Sequence, residues 1–114
     1  MDELKVKVDQ FKEWISEKKG EDIVVLDVRG KSSFTDWFIV CSGNGEIHTK
    51  AIAEHLIEKA RQEKIYLMGS EGMSNAKWIL LDFVDVIVHI FDIPVRDFYQ
   101  LEDLWRKKPI RNNS

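Results

Sequence analysis

An α/β (α+β) fold, a mixed five-stranded sheet with three main helices, is predicted by three observations. Runs rich in β-branched residues interleave with runs whose apolar residues recur at helical spacing. Their order is helix, two strands, helix, three strands, helix, without the strict βαβ alternation of an all-parallel sheet, which favours strands of mixed direction. The chain of 114 residues, 44% hydrophobic and 32% charged, suits one compact domain with one core. Residues 1–108 are read as that domain and "PIRNNS", residues 109–114, as a frayed tail. Three helices are too few to cover both faces of such a sheet, so one face is expected to be partly open.

The first helix follows from Leu4, Val8, Phe11 and Ile15 on one stripe, with Lys18 and Lys19 near the negative end of its dipole and Gly20 as its stop. "DIVVLDVRG" and "TDWFIVCSG" are β-branched runs closed by Gly30 and Gly43, joined by "KSSF". From Glu46 to about Lys64 the period changes: Ile47, Ala51, Ile52, Leu56 and Ala60 recur at helical spacing. "IYLMGSEG" reads as a short strand ending in a glycine turn. Pro94 opens the last helix, lined by Phe98, Leu101 and Trp105 and ended by Arg106 to Lys108.

Between these lies "WILLDFVDVIVHIF", residues 78–91, an apolar run broken by Asp82, Asp85 and His89. An unpaired charge in a buried strand costs several kcal/mol, so these residues need a reason. A hairpin with Val84 and Asp85 as its loop sets Asp82 opposite Ile87, Leu80 opposite His89 and Trp78 opposite Phe91, all on one face. The other face, Ile79, Leu81, Phe83, Val86, Val88 and Ile90, is wholly apolar and suits packing under helices. Trp78, Leu80 and Phe91 edged by Asp82 and His89 then have the composition of a protein-binding surface. The other reading of the same residues makes Trp78 and Phe91 ordinary core, with His89 hydrogen-bonded inside.

Chemistry is thin elsewhere. Cys41, the single cysteine, excludes an intramolecular disulfide and has no CxxC companion for zinc; inside "FIVCSG" it reads as a small core residue rather than a nucleophile served by His48 and Asp36. His48 and His55 are spaced too widely for a one-helix metal pair and read as surface or boundary residues. "MGSEG" and "SGNG" match neither phosphate-binding glycine pattern. Asp82 and Asp85 diverge across a turn and make no two-metal site. The net charge of −3 does not favour nucleic acid as the main contact. No apolar run reaches membrane-span length, and "MDELKVKVDQF" resembles no signal or transit peptide, so a soluble, cytoplasmic protein is expected.

Three stretches, "DIVVLDVRGKSSFTDWFIVCSGNGEIHTKAIAEHL", "GSEGMSNAKWILLDFVDVIVHIF" and "RDFYQLEDLW", together resemble the ribosomal silencing factor family, also called the iojap family, from about Asp22 to Trp105. The resemblance implies a nucleotidyltransferase-like sheet without enzymatic activity or cofactor. It implies a factor that binds the large ribosomal subunit through ribosomal protein uL14, blocks subunit joining and represses translation under nutrient limitation, with a homodimer when free. Trp78, Leu80 and Phe91 would then be the apolar anchor, and Asp82, His89 and Glu71 the polar selectivity toward a basic partner. Two positions depart from the family pattern: Val84 stands where glycine is usual, and Trp37 where tyrosine is frequent. The rival reading, a nucleotide-handling enzyme, needs a second acid beyond Asp82 after the Gly69–Ser70 pair, and Val84 occupies that position.

Overall fold

The structure is a computed structural model describing residues 3–33 and 35–99. Its elements follow the predicted order: α1 (Glu3–Glu17), β1 (Glu21–Asp27), β2 (Trp37–Gly43), α2 (Glu46–Gln62), β3 (Gly69–Glu71), β4 (Trp78–Asp82), β5 (Val86–Asp92) and α3 (Ile93–Tyr99). The strands form one sheet in the order β1-β2-β5-β4-β3. Only β2 and β5 run parallel; the other three pairings are antiparallel. Joining β2 to its parallel neighbour needs a crossover, and α2 supplies it.

Helices α1 and α2 cover one face. On α1 the buried stripe is Val8, Phe11, Trp14 and Ile15, so Trp14 joins the three expected positions, while the Leu4 side chain lies outside what is described. On α2 it is Thr49, Ile52, Ala53, Leu56 and Ala60. Ile47 is instead 89% exposed. It precedes Thr49 by two residues, about 200° around a helix of 3.6 residues per turn, so it points away from the sheet. Against these helices pack Ile39 and Cys41 of β2 and the predicted apolar set Ile79, Leu81, Phe83, Val86, Val88 and Ile90.

The second face carries Leu26, Val28, Phe38, Val40, Ile87 and Phe91, with Val95 of α3 packed onto them. The expected partly open face is thus buried across its centre and half-open at its margins, at Trp78 and Leu80 on the β4–β3 side and at Val24 on β1. Phe98, expected to share one side of the last helix with Leu101 and Trp105, is 81% exposed. Leu101, Trp105, the helix end at Arg106 to Lys108, the boundary at 108 and the tail all lie outside the described residues.

The β4–β5 hairpin has the predicted register, with Trp78 opposite Phe91, Leu80 opposite His89 and Asp82 opposite Ile87. Its loop is Val84–Asp85, closed by the Phe83 N–H donating to the Val86 carbonyl at 2.9 Å. Val84 adopts φ +76°, a conformation that glycine takes freely and a β-branched residue does not. The Asp85 N–H bonds the Phe83 carbonyl across it at 3.0 Å, a tight three-residue turn.

Candidate partner-binding site

Strand alternation turns Trp78, Leu80 and Asp82 to the face opposite α1 and α2, and pairing places His89 and Phe91 beside them and Glu71 of β3 across from Leu80. The Trp78 and Phe91 rings lie 4.8 Å apart at 31°. The Trp78 Nε1–H donates to His89 Nδ1 at 3.1 Å. On its other side the imidazole meets the Phe38 ring edge-to-face, centroids 4.8 Å apart.

Two of the six expected contact residues are therefore not surface. Phe91 is 0% exposed and His89 5%. The reason is position: β5 is a central strand between β2 and β4, and the rings of Trp78 and Phe38 close over it. Trp78 and Leu80 stay half-buried because β4 is flanked outside only by the three-residue β3. Glu71, Gly72, Trp78 and Leu80 border a cleft of about 330 Å³ at this sheet margin. That size is at the small end of ligand pockets and suits one or two docked side chains.

The polar residues in the apolar run now have partners. One oxygen of half-buried Asp82 accepts the Val84 N–H at 2.8 Å, holding the strained turn. Asp85 pairs with Lys7 of α1 at 3.7 Å, and its carbonyl accepts the N–H groups of both Asp36 and Trp37 at 3.1 Å. Burial pushes the His89 pKa down to about 4, so the ring is neutral at pH 7. Because Nδ1 accepts from Trp78, the ring proton sits on Nε2, which is buried with no hydrogen-bond partner.

Gly72 escaped the sequence reading except as a turn. It has φ +84°, and a Cβ there would stand 2.1 Å from the Trp78 carbonyl oxygen, so the backbone approach that seats Trp78 requires glycine. The "DVRG" stretch is a staple: Arg29 donates to both carboxylate oxygens of Asp27, at 2.9 and 2.7 Å, and lies over the Trp37 ring at 4.8 Å. Hydrogen bonding from Arg29 holds the Asp27 carboxyl at about 2. At the family's frequent tyrosine position, the Trp37 Nε1 is buried without a partner.

The other sequence candidates serve the fold. Burial pushes the Cys41 thiol up to about 12, far from a nucleophile's range. His48 accepts the Asn44 N–H at 2.8 Å and donates to the Lys18 carbonyl at 2.7 Å, while His55 meets Glu17 at 2.7 Å, so both tie α2 to the end of α1. Among the described residues no group of three or more histidine, cysteine or acidic side chains is placed to hold a metal, and no helix is long and apolar enough to cross a membrane.

A family profile described as "Ribosomal silencing factor during starvation" (RsfS) matches residues 1–114. A ribosomal silencing factor RsfS of Haemophilus influenzae is 45% identical over 87 residues, 76% of this chain and 85% of its own. Another, of Halalkalibacterium halodurans, is 39% identical over 95 residues, 83% of this chain and 81% of its own. A crystal structure of a Chromobacterium violaceum protein superposes with a TM-score of 0.87 at 31% identity, covering 100% of this chain and 95% of that one. The mixed sheet with its three helices is thus the architecture of a solved relative, and the chain belongs to the ribosomal silencing factor (RsfS, or iojap) family, non-enzymatic factors that bind the large ribosomal subunit and silence translation.

Proposed function

We propose that the chain silences translation by seating its β4–β3 margin on ribosomal protein uL14 of the large subunit and so excluding the small subunit. The observation that carries this reading is the half-buried Trp78 and Leu80 flanking a small cleft beside the exposed Glu71. An aromatic and an aliphatic residue around a small notch, with a carboxylate at the rim, is how a hot spot for a basic protein is built. Phe91 and His89 back this surface from the core. A domain of this size is roughly 30 Å across, enough to occupy the space a second subunit must enter, so affinity and position suffice without a chemical step.

The factor acts in the cytoplasm under nutrient limitation, with neither cofactor nor turnover. When free it pairs with a second copy through an overlapping surface, which keeps the apolar margin from water, and docking separates the pair. Sedimentation of purified subunits tests the mechanism. The protein added before mixing should suppress association stoichiometrically with large subunits, more than the same amount added afterwards, and Trp78→Ala and Asp82→Lys should blunt it. Full association with the protein saturating its site, or inhibition of many ribosome equivalents by a trace of it, refutes occlusion.

A further inference from the structure

We infer that His89 is a positioning residue for the docking surface: it touches no partner, and it sets the Trp78 indole by accepting its N–H. This deepens the proposed docking reading and rests on it. Three features of the imidazole carry the inference. It lies opposite Leu80 on β5, diagonal to Trp78, and its Nδ1 stands 3.1 Å from the indole nitrogen. It is 5% exposed, so a ribosomal protein resting on the surface reaches the indole and not the imidazole. Its Nε2 is buried without a partner.

That third feature separates positioning from packing. A buried unpaired polar atom is a cost that an apolar side chain of similar volume would not carry. Among the apolar neighbours Val40, Phe38, Ile87 and Phe91, stability alone favours leucine or phenylalanine at position 89. What histidine adds there is one acceptor aimed at Trp78. The indole also packs against Phe91, the rings tilted by 31° at 4.8 Å, so that contact limits the ring's tilt and the hydrogen bond fixes its rotation. A hot-spot aromatic held in its bound orientation loses less freedom on docking. Burial keeps the imidazole neutral and thus able to accept.

The test uses His89→Leu, close to histidine in volume but without the acceptor, and His89→Asn, whose side-chain oxygen occupies the place of Nδ1. Nitrogen-15 spectra follow the indole N–H of Trp78, assigned by its loss in Trp78→Phe, and binding is measured on purified large subunits. His89→Leu should melt at or above the wild-type temperature, exchange the Trp78 indole proton at least about ten-fold faster and bind about ten-fold more weakly. His89→Asn should recover both indole protection and affinity. A His89→Leu protein that fails to fold or melts far lower makes the residue structural and overturns the inference. Unchanged indole exchange and affinity overturn it as well. If Trp78→Ala binds normally, the docking reading itself fails, whatever the indole spectra show.

Discussion

Replacing Gly72 by alanine should break the proposed docking margin without removing any of its side chains. Two penalties combine there, and a second glycine separates them. At φ +84° an L side chain pays for the left-handed conformation, roughly 1–2 kcal/mol. The new Cβ would also stand 2.1 Å from the Trp78 carbonyl oxygen and 3.1 Å from its carbon. Both are backbone atoms, so relief means moving the β3 edge off β4 by roughly an ångström and loosening ladder bonds worth about 0.5–1.5 kcal/mol each. The sum is about 3 kcal/mol. Gly30 has nearly the same dihedral, φ +80°, with nothing within 4 Å of its absent Cβ, so Gly30→Ala should cost only the conformational part. Urea titrations at equal slope should therefore rank Gly72→Ala about 1–2 kcal/mol below Gly30→Ala. On the proposed docking reading Gly72→Ala should also weaken binding to large subunits, because its collision partner is the carbonyl of Trp78, the proposed anchor. Equal losses for the two variants would refute the close approach of β3 to Trp78.

Three further outcomes follow from the same geometry. The folded-state pKa of His89, about 4 against an ordinary 6.5, means the unfolded chain binds the extra proton between those values; stability is full above about pH 6.5 and falls by about 3 kcal/mol toward pH 4, and denaturation curves of His89→Leu should lack that part of the acid slope. Cys41, fully buried with its thiol pushed up to about 12, should react with a thiol reagent at pH 8 only at the rate of unfolding, and prompt stoichiometric labelling of the native protein would contradict its placement. Asp82→Ala removes the acceptor for the Val84 N–H and should cost about 1 kcal/mol in the melting curve, whereas an unchanged melt would mean the carboxylate does not hold the turn.

Periodicity made most of the sheet readable, since one face of each strand had to be apolar. The set Ile79, Leu81, Phe83, Val86, Val88, Ile90 forced both the register and the loop of the β4–β5 hairpin, because a one-residue slip would have put Asp82 and His89 under the helices. What periodicity does not encode is how the second face is covered. Phe91 and His89 share a face with the half-open Trp78 and Leu80, and nothing in their spacing says that a central strand is roofed while its neighbour is not. Ile47 failed for a related reason: apolar residues at helical spacing define a stripe only after its centre is chosen, and tertiary packing chose Thr49, Ile52 and Leu56. Gly72 was visible only as a turn glycine, since the approach of another strand's carbonyl is not a local property.

The polar interruptions in "WILLDFVDVIVHIF" were the strongest pointer to function, yet two of the three answer structural problems first. Val84 occupies a glycine-type conformation, so the hairpin needs support that a glycine turn would not: the Asp82 carboxylate takes the Val84 N–H, and Asp85 braces the loop against Lys7 and the entry of β2. The Asp82 carboxylate meets a backbone N–H and the Asp85 carboxylate an ammonium, both are partly exposed, and neither carries a desolvation cost of the size that made them suspicious. His89 is different in kind. It is buried, neutral and half-satisfied, and the one bond it makes goes to the side chain best placed to meet a partner. A residue that leaves a core polar atom unpaired while holding a surface aromatic in one orientation trades stability for preorganisation. If that trade is what retains histidine here, the most stable variants at position 89 should be the poorest ribosome binders, and a rank order of melting temperature against affinity across Leu, Phe, Asn and His would show the two running in opposite directions.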